Sequence, residues 1–173
     1  MTLLDRIQNI FPRSADVPEA LLKDIPCIQT GYLVNGQIRV WDGPRQAVLS
    51  PVWVAGESGP KPLCIGEYPL LTEAEALQAL DAAVAAYDHG RVVWPTLSVA
   101  ERIDHMQRFV FRMLEVKDRV VRFLMWEVGK SLQDSAKEFD RTIQYINDTL
   151  VALKDLDRIS SRFTIEEGII GQI

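Results

Sequence analysis

Two hydrophobic periods divide the 173-residue chain. From residue 25 to residue 71, short apolar runs alternate with polar and turn residues, a pattern that predicts β-strands. The clearest turn signal is Asn35-Gly36, because this dipeptide accepts the positive φ angles of a tight hairpin turn. We therefore expect a hairpin whose strands are residues 32–34 and 37–41.

The sequence after this hairpin predicts shorter strands. Residues 47–50 form an apolar run that Pro51 is expected to end. Residues 56–62 are rich in glycine and proline and predict an exposed loop, and a further short strand is expected from residue 63. These segments complete a β-rich region over residues 25–71.

At Thr72 the hydrophobic period changes from two residues to 3.6, which predicts helices over residues 73–156. Thr72 and Glu75 form a capping box that opens the first helix, and Gly90 is expected to close it. The apolar residues of this helix share one face: Leu77, Leu80, Val84 and Tyr87.

A second capping box, Ser98 with Glu101, opens the second helical stretch. Its apolar stripe shifts between Glu115 and Lys117, which predicts a bend or a short gap there, and Gly129 is expected to end it. The first half of the stripe consists of Val99, Ile103, Met106, Val110 and Met113, and the second half of Val120, Val121, Leu124, Met125 and Val128.

The third helical stretch has the most regular pattern. Its apolar residues are spaced alternately four and three apart, the heptad spacing of a helix that packs along one face: Leu132, Ala136, Phe139, Ile143, Ile146, Leu150 and Leu153. At roughly 1.5–3 kcal/mol for each fully buried side chain, this face contributes on the order of 10 kcal/mol. Residues 162–165 and 168–173 return to a strand pattern, and the chain stops inside that apolar run, so we expect it to be a piece of a longer protein.

Composition and charge exclude several classes of protein. Lys and Arg number 19 against 24 Asp and Glu, giving a net charge of −5, which does not supply the positive excess that binds nucleic acid. The longest uncharged stretch has only 14 residues and contains proline and glycine, so no membrane partner is expected. Because Asp5 and Arg6 interrupt the N-terminus, no secretory signal is expected and a cytoplasmic location is predicted.

The titratable residues do not form a familiar catalytic or metal-binding motif. Cys27 and Cys64 lack the spacing of a metal site and lie far from any predicted helix start that would lower a thiol pKa, so neither is expected to be a nucleophile. His89 and His105 stand 16 residues apart, so we expect no metal site. A glycine-rich dinucleotide motif is also missing from the sequence, which predicts no cofactor-binding residues in this chain.

Arg141 is the one candidate for ligand binding. It follows Glu138 by three residues on the third helical stretch, and Asp134 and Tyr145 complete a polar stripe beside the heptad positions. Spacing alone favours a surface ion pair between Glu138 and Arg141. The alternative is that the planar guanidinium group of Arg141 binds a phosphate or carboxylate.

Five segments together resemble the N-terminal third of aldehyde dehydrogenases. They are Tyr32-Leu33-Val34-Asn35-Gly36, Trp94-Pro95-Thr96-Leu97-Ser98-Val99-Ala100-Glu101-Arg102, Glu127-Val128-Gly129-Lys130, Ala136-Lys137-Glu138-Phe139-Asp140-Arg141-Thr142 and Glu167-Gly168-Ile169-Ile170-Gly171-Gln172-Ile173. Within that superfamily, the chain is most similar to the non-phosphorylating, NADP-dependent glyceraldehyde-3-phosphate dehydrogenases. The resemblance extends from about residue 29 to the end of the chain.

This resemblance implies a fold and a domain division. We expect an α+β fragment of an α/β enzyme, with a β-hairpin region, three helical stretches and a C-terminal strand. Residues 1–157 would form the N-terminal part of the cofactor-binding domain, and residues 158–173 would begin the arm through which family members form homo-oligomers. An exposed strand edge is suited to such pairing.

The resemblance also implies a reaction. The longer enzyme would oxidise glyceraldehyde 3-phosphate to 3-phosphoglycerate, with NADP as cofactor, through a cysteine thiohemiacetal and a thioester. Its oxyanion asparagine, in a Phe-Asn-Tyr-Pro segment, and its catalytic glutamate and cysteine would follow residue 173, as would the cofactor site. This chain is therefore expected to be inactive alone. Arg141 matches the arginine that helps to hold the substrate phosphate in this branch.

Two alternatives remain at this stage. The longer protein could be an aldehyde dehydrogenase that acts on a semialdehyde or on lactaldehyde. The chain could also be a helical interaction module that kept the helices and the arm but has no enzymatic activity. Sequence alone does not decide between NADP and NAD.

Overall fold

A computed structural model describes residues 10–160, 163–166 and 169–172 of the chain. It has mixed α+β structure, with small sheets at both ends of the sequence and helices between them, as expected. Its contacts separate two compact units. The first unit comprises Met1–Val84 and Asp118–Ala136, and the second comprises Ala85–Lys117 and Lys137–Ile173.

The predicted hairpin is confirmed. Strand β2 (Gly31–Val34) pairs antiparallel with β3 (Gln37–Val40), and Val34 lies opposite Gln37. The two turn residues between them, Asn35 and Gly36, have φ angles of 50° and 72°, the left-handed conformation that this dipeptide favours.

The strands that follow are much longer than expected. Strand β4 (Arg45–Gly56) pairs antiparallel with β5 (Gly59–Pro69) around a two-residue turn. The short strand β1 (Cys27–Ile28) lies parallel to β5 on its other side, giving the strand order β1-β5-β4. The prediction that Pro51 ends a strand and that residues 56–62 form a loop is therefore wrong.

The positions of the prolines explain this error. Pro51 falls in an interruption of the ladder between Leu49 and Trp53, so its missing N–H removes no regular strand bond. Pro60 lies opposite Ala55, whose N–H donates to the carbonyl of Pro12 at 2.8 Å instead of to β5. The pairing of Ala55 with Pro60 therefore requires no N–H group from the proline. For this reason β5 can include residues 59–62, although their sequence is typical of a loop.

The core of the first unit combines this sheet with helix α5 (Lys117–Val128). Its buried side chains include Val54 and Ile65 from the sheet and Val121 and Trp126 from the helix. The indole N–H of Trp126 donates to the carbonyl of Leu21 at 2.7 Å. Leu21 belongs to the short helix α1 (Glu19–Leu22). The buried hydroxyl of Ser50 donates to the carbonyl of Trp126, so polar bonds as well as apolar packing fix α5 on the sheet.

Helix α2 (Glu73–Tyr87) begins after Thr72, as its capping box predicts. A 3-10 turn (Asp88–Gly90) follows, and Gly90 has a positive φ angle of 80°. The face that carries Leu77 and Leu80 is confirmed as a helical face, but its side chains are exposed.

Helices α3 (Val93–Thr96) and α4 (Val99–Glu115) lie in the second unit. The Ser98 and Glu101 capping box is present at the start of α4, with both of its hydrogen bonds. The predicted break is also present, because α4 ends at Glu115 and α5 begins at Lys117. Helix α5 then ends before Gly129, which has a positive φ angle of 74°.

Helix α6 (Leu132–Ser160) is the longest element, with 29 residues. Of its heptad positions, Phe139 and Leu150 are buried and Leu132 is exposed. Strands β6 (Phe163–Glu166) and β7 (Ile169–Gln172) pair antiparallel, so the predicted C-terminal strand region forms two strands. In the part of the chain that the structure describes, every helix is too short or too polar to cross a membrane.

Candidate functional site

Helix α6 holds Arg141 away from the core of the second unit. Phe139 lies two residues before it and Ile143 two residues after it, and both belong to the heptad face. Two residues rotate by about 200° around an α-helix, so Arg141 points to the side opposite these two residues. Its side chain is exposed, whereas Phe139 is buried.

The surface ion pair that spacing alone favours does not form. The structure shows no ion pair or hydrogen bond between Arg141 and Glu138, although both residues are described. Among the described residues, the guanidinium group of Arg141 has no hydrogen-bond or ion-pair partner. Its five N–H donors are therefore available to a planar anion such as a phosphate or carboxylate.

One turn further along the helix, Tyr145 lies on the same side as Arg141. Its side chain is exposed, and its backbone carbonyl accepts a hydrogen bond from the hydroxyl of Thr149 at 2.7 Å. The structure thus places a phenol and a guanidinium group next to each other on one exposed face. We refer to Arg141 and Tyr145 together as the anion face of α6.

An ion pair lies directly beside this face. The Nζ of Lys117 is 2.6 Å from the Oδ1 of Asp140 and 5.9 Å from the centre of the Phe139 ring. Sequence analysis missed this contact because the two charges are 23 residues apart and share no helical period. No signal in a single sequence would have indicated it.

Within the described part of the chain, neither cysteine is hydrogen-bonded to a general base. The Sγ of Cys27 accepts a hydrogen bond from the guanidinium group of Arg119 at 3.4 Å, and arginine does not act as a base. The thiol of Cys64 donates to the carbonyl of Gly66 at 3.6 Å. Both cysteines are half-buried and reduced. These contacts are those of structural thiols and not of an activated nucleophile.

Among the described residues, three carboxylates have lowered pKa values. A side-chain hydrogen bond from Arg13 lowers the pKa of Asp16, and the other two carboxylates accept hydrogen bonds at helix starts. Hydrogen bonds from the side chain and the backbone of Ser98 hold the pKa of Glu101 below its ordinary value. Thr72 lowers the pKa of Glu75 in the same way. Glu75 and Glu101 therefore accept hydrogen bonds that stabilise the starts of α2 and α4.

The described residues lack the features that bind a metal ion or a dinucleotide. Over residues 10–160, no three His, Cys, Asp or Glu side chains lie close enough to bind a metal ion. In the same range, the chain passes directly from a strand into a long helix only once, between β5 and α2. The connecting residues 70–72 contain no glycine. A pyrophosphate is bound by a glycine-rich turn at such a helix start. These residues do not fit a nicotinamide dinucleotide, and none of them is assigned to it.

Comparisons with known proteins agree with this fold. The model of the aldehyde dehydrogenase family matches residues 61–168, well over half of the chain. A search of curated proteins gives no significant match.

A crystal structure of an NAD-dependent aldehyde dehydrogenase from Sinorhizobium meliloti is similar in fold, with a TM-score of 0.67 at 21% sequence identity. The match covers 94% of this chain and 30% of that protein, so the chain spans less than a third of the length of the enzyme that it resembles. On the strength of the family match, the chain belongs to the aldehyde dehydrogenase family.

Proposed function

We propose that this chain is the N-terminal portion of a cytoplasmic, homo-oligomeric aldehyde dehydrogenase that oxidises glyceraldehyde 3-phosphate to 3-phosphoglycerate with NADP. Residues 1–157 belong to its cofactor-binding domain and residues 158–173 to its oligomerisation arm. The catalytic cysteine, glutamate and asparagine and the cofactor site belong to the rest of the enzyme. The isolated chain is therefore inactive. Family membership supports the reaction class.

The observation that supports the choice of substrate is the guanidinium group of Arg141, which has no hydrogen-bond or ion-pair partner among the residues that the structure describes. It lies on a rigid 29-residue helix and is directed away from the buried face of that helix. A guanidinium group donates two parallel hydrogen bonds to a phosphate, which fixes the orientation of the anion as well as its position.

Binding of the phosphate serves the reaction at the other end of the substrate. Interactions with a group that does not react can be used to orient the aldehyde for attack. Removing such an interaction lowers kcat/KM for the phosphorylated substrate. Glyceraldehyde itself lacks the phosphate and loses little.

This difference between substrates tests the proposal. In an enzyme whose N-terminal portion is this chain, Arg141→Ala is expected to lower kcat/KM for glyceraldehyde 3-phosphate by about 10- to 100-fold, since a charge-assisted hydrogen bond contributes about 1.5–3 kcal/mol. The rate with glyceraldehyde serves as the internal control. Arg141→Lys keeps the charge but not the planar geometry and should give an intermediate loss. An unchanged KM for the phosphorylated substrate in Arg141→Ala would remove Arg141 from the site.

A second candidate substrate follows from the same side chain. Guanidinium binds a carboxylate as readily as a phosphate, so a semialdehyde with a terminal carboxylate also suits Arg141. Rates with glyceraldehyde 3-phosphate and with a carboxylated semialdehyde, each measured with NADP and with NAD, separate the two possibilities. A higher kcat/KM for the semialdehyde that falls in Arg141→Ala would favour the second.

A further inference from the structure

Lys117 lies next to the anion face of α6, because it contacts Phe139 and Asp140. It is the first residue of α5, and its Nζ lies 2.6 Å from the carboxylate of Asp140. The same ammonium group lies over the ring of Phe139 at 5.9 Å. Lys117 therefore contacts the two residues that immediately precede Arg141.

This contact differs from many of the other charge pairs on the helices. Many of those pairs join residues three or four apart on one helix, for example Arg108 with Asp104. Lys117 and Asp140 lie on different helices, and their side chains are 34% and 57% exposed, respectively. A lysine side chain that lies against a buried ring is held in place better than one in open solvent.

The pair also changes the electrostatic potential at an anion bound to Arg141. Asp140 is the chain neighbour of Arg141, so an uncompensated carboxylate there would repel an anion bound by Arg141. With Lys117 in contact, the two charges form a nearly neutral pair. The positive charge of Arg141 then acts on the anion without opposition from Asp140.

We propose that Lys117 is a positioning residue for the anion-binding site of the enzyme. Its ammonium group neutralises Asp140 and so preserves the affinity of Arg141 for the anionic group of the substrate. This inference rests on the function proposed for Arg141.

A titration of the 173-residue chain with inorganic phosphate tests the inference. The Nε–H resonance of Arg141, identified by its loss in Arg141→Lys, reports binding by NMR. Lys117→Met keeps the aliphatic stem over Phe139 and removes the charge. This variant should raise the dissociation constant for phosphate about two- to fivefold, as expected for an unscreened neighbouring carboxylate at the protein surface. The double variant Lys117→Met with Asp140→Asn should bind as the original chain does.

A matched control removes the same charge elsewhere. Lys154 also lies on α6, 13 residues beyond Arg141 and therefore about 20 Å away along the helix axis. Lys154→Met should leave the dissociation constant for phosphate unchanged. Should Lys117→Met fail to fold, Asp140→Asn alone still tests the charge effect. It leaves Lys117 without its carboxylate and should tighten phosphate binding about two- to fivefold.

The outcomes separate this inference from the proposed function. An unchanged dissociation constant in Lys117→Met, or a double variant that binds as weakly as the single one, overturns the role of Lys117 while Arg141 keeps its own. The role of Lys117 is also overturned if Asp140→Asn binds phosphate no more tightly than the original chain does. If the Arg141 resonance does not respond to phosphate in the original chain, the phosphate site itself is wrong and this inference falls with it.

Discussion

Helices α2 and α6 show the same hydrophobic period but different burial. In α2, Leu77 and Leu80 are 51% and 57% exposed although they share one face. In α6, Phe139 and Leu150 are 3% and 8% exposed at equivalent heptad spacing. Periodicity therefore identifies the residues of one face, but burial depends on whether another element covers that face.

The two helices accordingly depend on different interactions. Helix α6 is anchored by buried side chains, whereas α2 relies on its capping box and on contacts such as the 2.9 Å hydrogen bond from Arg39 to Gln78. Helices without a buried face open locally at low free-energy cost. We expect α2 to contribute much less than α6 to the stability of the chain.

A pair of alanine substitutions gives the largest expected effect. Phe139→Ala removes a buried ring from α6 and should lower the free energy of unfolding by about 3–5 kcal/mol. Leu80→Ala removes an exposed side chain from α2 and should change it by less than about 1 kcal/mol. Urea denaturation followed by circular dichroism measures both. Equal losses in the two variants would show that burial does not distinguish these helices.

The capping boxes of α2 and α4 give an intermediate effect. Ser98 accepts the backbone N–H of Glu101 at the start of α4, and Ser98→Ala should cost about 1 kcal/mol. Thermal denaturation measures this loss, and Ser98→Asp, which keeps a capping acceptor, is the matched control. A melting temperature in Ser98→Ala as high as that of the control would contradict a role for this cap.

These caps also predict a dependence on pH. Hydrogen bonds to the folded protein lower the pKa of Glu75 and of Glu101, so each carboxylate stabilises the folded state above its unfolded pKa. That contribution is lost as the pH falls below the unfolded pKa of a glutamate, about 4.3, and through the lowered folded pKa. Titration of the carboxyl carbons by NMR should show both depressed values. Thr72→Ala removes the hydroxyl donor but keeps the backbone N–H, so it should raise the pKa of Glu75 towards its ordinary value without affecting Glu101.

The smallest expected effect concerns a serine near the start of α6. Ser135 is fully buried, and its hydroxyl has no hydrogen-bond partner among the described residues. Ser135→Ala removes an unsatisfied polar group and improves helix propensity, so it should stabilise the chain by about 0.5–1 kcal/mol. A destabilised variant in the same urea experiment would indicate a bonded hydroxyl.

Local signals predicted local structure well. Asn35-Gly36, the two capping boxes and Gly129 each specify a backbone conformation within a few residues, and all four are present where the sequence indicates. The prolines of β4 and β5 led to a wrong prediction. A strand accepts proline only at positions whose N–H would not bond to a partner strand. That information lies in the pairing register and not in the local sequence.

The candidate site was predictable only in part. Arg141 was identified through its position in a family motif, and periodicity placed Tyr145 on the same side of the helix. The missing ion pair with Glu138 depends on side-chain conformations within α6, and the contact of Lys117 with Asp140 depends on how side chains from two helices meet. Spacing along one chain does not contain those distances.

The environment of Trp126 supplies an optical signal for these experiments. Of the four tryptophans in the chain, Trp126 is buried, whereas Trp53 and Trp94 are about half exposed and Trp41 is partly covered. A buried indole emits at shorter wavelengths than one in water, and Trp126 belongs to the first unit while Phe139 belongs to the second. A red shift of its fluorescence in Phe139→Ala, at the urea concentration where helicity is lost, would show that the two units unfold as one cooperative body.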